Sequence, residues 1–180
     1  MIKLHIGGGK INFGDSWIHI DAANFMHIQY HNVTKLPFQD NTVNLIYSSH
    51  MLEYCDRNEA VDILKEWRRV LQVNGILRLA VPDFAEMSKL YQASKIELKD
   101  ILGPLYGRIL INNKYIYHKT IYDFLSLKEL LINIGFKDVK LYDWRSTDHA
   151  QFDDCSQAYL CPKGDKKQGV LISLNVECVK

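Results

Sequence analysis

Three groups of residues in this 180-residue chain have the types and spacing to do chemistry. Gly7-Gly8-Gly9 closes a short apolar run, and glycines there let backbone approach a ligand with no Cβ in the way. Asp21 closes the next apolar run, where a carboxylate can accept from the two hydroxyls of a ribose. A charge-assisted bond of that kind contributes about 1.5–3 kcal/mol net. His50, in SSHMLEY, and His118, in YHKTIYD, are the candidate catalytic bases, because a histidine changes charge near neutral pH. Each group also has a plain alternative: a tight turn for the glycines, a cap for Asp21, packing or a loop hydrogen bond for the histidines. Glu53 reads as a solvated carboxylate in a first helical turn.

Spacing narrows the ligand. A glycine-rich turn followed by an acid on the next strand points to an adenosine-type molecule. The dinucleotide fingerprint needs a third glycine and an acid about 20 residues on. Asn12 holds the third-glycine position, and Asp21 comes fourteen residues after Gly7. No G-x-x-x-x-G-K-[ST] loop occurs, so a ligand without a phosphate to clamp fits better. The four cysteines form no C-x-x-C pair, and His27 and His31 lack the glutamate of H-E-x-x-H, so no metal site is expected. With 22 basic against 21 acidic residues the net charge is +1, which disfavours nucleic acid as a partner. No apolar run reaches the roughly 18–20 residues of a membrane span, and the start does not read as a signal peptide. A cytoplasmic location is the expectation.

Short apolar runs alternate with helical patterns. Strands are expected at 2–6, 17–20, 27–30, 43–47, 76–81, 137–144 and 169–179. A helix is expected over 57–71, with Asp56 as N-cap and Glu59 completing a capping box. A second is expected from Ser126, its capping partner Glu129, to a terminating Gly135. This order predicts a Rossmann-like, doubly wound α/β fold: one domain over 1–180 with a mostly parallel seven-stranded sheet. Its last strand should be antiparallel, since no helical pattern separates the final pair. Only ten residues, Gly7–Ser16, join the first two strands, so the first crossover helix must be shortened or missing.

Four blocks carry a specific likeness: KLHIGGGK with WIHIDA, LPFQDNTVNLIYSSHMLEY, EWRRVLQVNGILRLAVPDF and SLKELLINIGFKDVKLY. In these the chain resembles the class I S-adenosylmethionine-dependent methyltransferases, particularly their small bacterial-type members. The resemblance implies S-adenosylmethionine as cofactor, with Gly7 and Gly9 around its methionine part and Asp21 on its ribose. It puts Asn32 where the family often has an adenine-contacting Asp, and Val33 and Leu36 as adenine walls. It also puts His50 beside the point of methyl delivery. Asn44 and Val73-Asn74 depart from the Asp and Pro-Gly usual at those positions.

The implied function is methyl transfer to an oxygen or nitrogen of a small molecule or sugar. A non-catalytic cofactor-binding module and a nucleotide-dependent oxidoreductase are the alternatives. Acceptor specificity is expected in the inserted segment 84–119, which carries six basic residues against three acidic ones. Gly103-Pro104 and Gly107 are expected to break its helices, and Tyr91, Tyr106, Tyr115 and Tyr117 to offer aromatic faces. Oligomeric state is not readable from these patterns.

Overall fold

Runs rich in Ile, Leu and Val, punctuated by Gly, Pro and Asp, become the strands, and the stretches with helical spacing become the helices. The computed structural model describes residues 1–180. In chain order the elements are β1 (Lys3–Ile6), β2 (Ile18–Ile20), β3 (Ile28–Tyr30), β4 (Val43–Ser49), α1 (Arg57–Val70) and β5 (Leu71–Pro82). There follow α2 (Phe84–Gln92), α3 (Leu98–Tyr106), β6 (Ile109–Ile111), β7 (Lys114–Ile116), α4 (Phe124–Ile134) and β8 (Lys137–Leu141). The chain ends with β9 (Tyr159–Leu160), β10 (Val170–Leu171) and β11 (Ser173–Val179).

Seven strands form one sheet in the order β3-β2-β1-β4-β5-β11-β8, parallel except for β11, which runs antiparallel to both neighbours. This is the expected α/β architecture, with β11 inserted between β5 and β8. The capping box Asp56/Glu59 starts α1, whose buried stripe is Ala60, Ile63, Leu64, Trp67 and Val70. It packs with α4 and the central strands into the largest core cluster. The start of α4 differs from expectation. Asp123, not Ser126, is the N-cap; its carboxylate accepts the Ser126 N–H, and Ser126 supplies the reciprocal bond. Gly135 ends the helix at φ +104°, as expected.

No helix joins β1 to β2. The sheet face it would cover is closed by aromatic packing from two loops. Phe13 and Trp17 come from the first loop and His149 and Phe152 from the loop after β8, set against His5, His19 and Tyr47 of the strands. His27 and His31 flank a strand rather than sharing a helix face, and no group of three metal-ligating side chains forms. A smaller core joins Met87 and Leu90 of α2, Ile101 of α3, Leu160 of β9 and Ile172. No helix is long and apolar enough to cross a membrane.

Candidate active site

The strand order reverses direction between β1 and β4, and open α/β sheets bind ligands beyond the carboxyl ends of strands at such a point. The two expected segments, Gly7–Gly9 after β1 and Ser49-His50 at the end of β4, meet there on the wall of a cavity of about 690 Å³. The glycines are required for different reasons. A Cβ on Gly8 would lie 2.1 Å from the His5 ring, and one on Gly7 would strike the Met51 side chain. Gly9, at φ +57°, has nothing within 4 Å of a Cβ position, so its backbone faces open space.

Asp21 stands one hydrogen bond behind this turn. Its Oδ2 accepts from Gly9 N–H at 2.8 Å and its Oδ1 from Ala23 N–H at 2.7 Å. Each oxygen keeps a second lone pair. Neither Asp21 itself nor Asn32, Val33 or Leu36 lines the cavity. Asn32 Oδ1 accepts from Thr34 and Lys35 in a local turn, Val33 accepts from the Trp67 indole, and Leu36 is 3% exposed within the main core.

His50 and His118, far apart in sequence, converge on Glu53. His50 has φ +51°, an uncommon backbone state for a residue with a Cβ, and its Nδ1 lies 3.4 Å from Glu53 Oε1. The same oxygen lies 3.8 Å from His118 Nε2. Glu53 is not the solvated carboxylate that its sequence position suggested. Its side chain is fully buried in the short 3-10 turn Leu52–Tyr54, where both oxygens lack a hydrogen-bond partner. Lys119 and Thr120 N–H groups donate to its backbone carbonyl, which ties the chain around His118 to the turn. Burial pushes the Glu53 carboxyl up to about 8 and pushes both histidines down, so all three groups favour their neutral forms.

Six residues of the expected insertion, Gly103, Pro104, Gly107, Arg108, Ile109 and His118, line the cavity. Pro104 sits inside α3 instead of breaking it, and Gly107 ends the helix at φ +57°. None of the four tyrosines named from this segment lines the cavity; all are about half exposed. Tyr54 of the 3-10 turn lines it, its ring edge-on to His118 with centroids 4.5 Å apart. Asp154 and Cys155 also line the cavity. Tyr54, Arg108, Asp154 and Cys155 escaped the sequence reading because no spacing links them. The one available signal was a lone acid, Glu53, inside the apolar stretch HMLEY.

These residues suit an adenosyl-type cofactor: the turn is open in front of Gly9, and an acid with spare lone pairs stands beside it. A family model described as a methyltransferase domain matches residues 15–79, from just before β2 into β5. A comparison with curated protein sequences gives no match. Among solved structures, a methyltransferase from Methanosarcina mazei is similar at TM-score 0.59 and 18% identity over 99% of this chain and 91% of that one. One from Archaeoglobus fulgidus gives 0.60 and 14%, over 99% and 85%. The 1,6-didemethyltoxoflavin-N1-methyltransferase of Burkholderia thailandensis, with S-adenosylhomocysteine bound, gives 0.56 and 12%, over 99% and 70%. The matched segment lies across β2, β4 and α1, and the likeness to these solved structures over nearly the whole chain shows that the chain has the fold of S-adenosylmethionine-dependent methyltransferases.

Proposed function

We propose that the chain methylates an oxygen or nitrogen of a small molecule or sugar, in the cavity between the glycine turn and the 103–109 roof. The observation that carries this reading is the meeting of His50 and His118 at the wall of the cavity that Gly7–Gly9 also lines. When bound, S-adenosylmethionine supplies an electrophilic methyl group, so the protein's work is alignment, exclusion of water and management of one proton.

Gly7 and Gly9 would admit the methionine part of the cofactor, and the spare lone pairs of Asp21 would take the ribose hydroxyls. The roof from α3 through Ile109 would shield the reacting atoms and shape the acceptor pocket, with Arg108 offering a charge to an anionic or polar acceptor. A neutral histidine beside the cavity would take the proton of a hydroxyl or amine. The neighbour from Burkholderia thailandensis, described as an N1-methyltransferase of 1,6-didemethyltoxoflavin, is compatible with a nitrogen acceptor.

The test has two stages. Calorimetry should detect S-adenosylhomocysteine binding. Transfer of labelled methyl from S-adenosylmethionine to pooled hydroxyl and amine acceptors should then give a product that His50→Ala loses without losing cofactor affinity. Binding with no transfer to any pool would leave a non-catalytic binding module, a reading favoured by the missing helix between β1 and β2.

A further inference from the structure

The hydrogen-bond partners of His50 and His118 dictate where each ring carries its proton. Asn175 Nδ2 donates to the Ser156 carbonyl at 2.9 Å, which turns its Oδ1 toward Ser173. Ser173 Oγ lies 3.0 Å from that oxygen, and an amide oxygen can only accept, so the single hydroxyl proton goes there. Toward His50 Nε2, at 3.1 Å, Ser173 can then only accept. Nε2 of His50 must carry the proton, and Nδ1 of the neutral ring is bare. In His118 the order is reversed. Its Nδ1 lies 3.0 Å from the Pro104 carbonyl, which only accepts, so Nδ1 carries the proton and Nε2 is bare.

Both bare nitrogens therefore face one atom, Glu53 Oε1, at 3.4 and 3.8 Å. An ionised carboxylate would set its lone pairs against two others with no donor in place, its own oxygens being closed to water while the two rings border the cavity. We propose that Glu53 is held as a neutral carboxylic acid, sharing one proton with His50 Nδ1 and His118 Nε2, and that this trio takes up the proton released by a neutral hydroxyl or amine acceptor. The last clause rests on the methyl-transfer reading; the first does not.

The surroundings agree with a neutral acid. Burial raises the Glu53 carboxyl to about 8. The ionisable groups that feel it, beyond the two rings, are Tyr54 and Cys55 of its own segment, Tyr122 before α4, and Cys155 of the C-terminal loop. None of these supplies a positive charge. The Lys119 ammonium is held 2.7 Å from Glu59 on α1 instead.

A carboxylic acid donates to one nitrogen at a time, so the other keeps a free lone pair. In the transfer, the acceptor's X–H bond breaks with its electron pair on X, which bonds the donor's methyl carbon. The C–S pair stays on the donor's sulfur, and the proton goes to the nitrogen that Glu53 leaves free. Glu53 touches neither the cavity nor its ligand; it acts through the rings and is a positioning residue. An acceptor already ionised, such as a carboxylate, has no use for this trio.

Long-range proton–nitrogen spectra of labelled histidines, with carbon-13 spectra of labelled glutamate, read the proton inventory directly. At pH 7 the expected result is two neutral rings, His50 protonated at Nε2 and His118 at Nδ1, and a Glu53 carboxyl titrating several pH units above an ordinary one. An ionised Glu53 at pH 7, or the opposite tautomer on either ring, overturns the neutral acid. These spectra need only wild-type protein, so they stand even where S-adenosylhomocysteine fails to bind and the methyl-transfer reading falls. For the proton uptake, Glu53→Gln keeps a donor for one nitrogen but no proton to share. It should leave S-adenosylhomocysteine affinity within twofold and move the acid midpoint of kcat for labelled-methyl transfer to the pooled acceptors down by a pH unit or more. An unmoved midpoint overturns that role.

Discussion

Two clusters in this molecule bury histidines, and they differ in what surrounds the rings. Where the first crossover helix is missing, His5, His19 and His149 pack among Phe13, Trp17 and Tyr47, with His5 stacked on Phe13 at 4.0 Å and His149 against Tyr47 at 3.9 Å. At the strand ends, His50 and His118 instead flank Glu53, a buried carboxyl without another partner. Burial keeps the rings neutral in both places, pushing His5 down to about 3, His149 to about 4 and His50 to about 3. Neutrality alone therefore does not mark a site. In the first cluster ring faces fill space left by a helix, although His5 also reaches the cavity wall. In the second, carbonyl and hydroxyl partners aim two lone pairs at one acid beside an opening.

The largest effect expected from breaking this contrast is Phe13→Ala. Truncating a buried ring that stacks on His5, His149 and Phe152 should cost about 3–5 kcal/mol and lower Tm by on the order of 10 °C in a thermal melt. Glu53→Gln should change Tm at pH 5 by far less, because it removes no packing.

Asp21→Ala should weaken S-adenosylhomocysteine binding more than tenfold by calorimetry, from loss of charge-assisted bonds of about 1.5–3 kcal/mol each. Some stability should go with it, since Gly9 and Ala23 N–H groups lose their acceptor. Unchanged affinity in a folded variant would detach Asp21 from the cofactor.

Glu53 and the buried histidines of both clusters should respond to pH with opposite signs. His5 binds protons near pH 6.5 when unfolded but only near 3 when folded. Its contribution is therefore whole above 6.5 and is lost as pH falls toward 3. Glu53 releases its proton near 4.5 when unfolded and near 8 when folded, so its contribution is whole below 4.5 and is lost as pH rises toward 8. Urea unfolding of wild type and Glu53→Gln should show the variant gaining relative stability from pH 5 to pH 8. Parallel curves would return Glu53 to an ordinary carboxylate.

Tyr91→Ser should do least. Its half-exposed ring lies outside the cavity, so stability should stay within about 0.5 kcal/mol and S-adenosylhomocysteine affinity should not move.

Local signals in the sequence determined a good deal. The period of apolar residues, the Asp56/Glu59 capping box, the terminating Gly135 and the short Gly7–Ser16 link each act within a few residues of chain, so they announced the sheet and the missing helix. That Gly7, Gly9 and His50 would border a cavity was legible because strand ends are legible, and clefts of open α/β sheets lie at strand ends. Asp123 displaced Ser126 as the cap of α4 because both residue types suit either role, and the path of the incoming chain selects between them. The apolar neighbours of Glu53 in HMLEY hinted at burial but did not fix it. A carboxylate in a first turn is ordinarily solvated, and only the return of residues 118–120 across that turn, more than sixty residues later, buries it. The tautomers of His50 and His118 depend on Ser173, Asn175 and Pro104, from other parts of the chain. Composition and spacing determined which groups could do chemistry; which proton each group holds is set by partners distant in sequence, and the tertiary structure alone decides it.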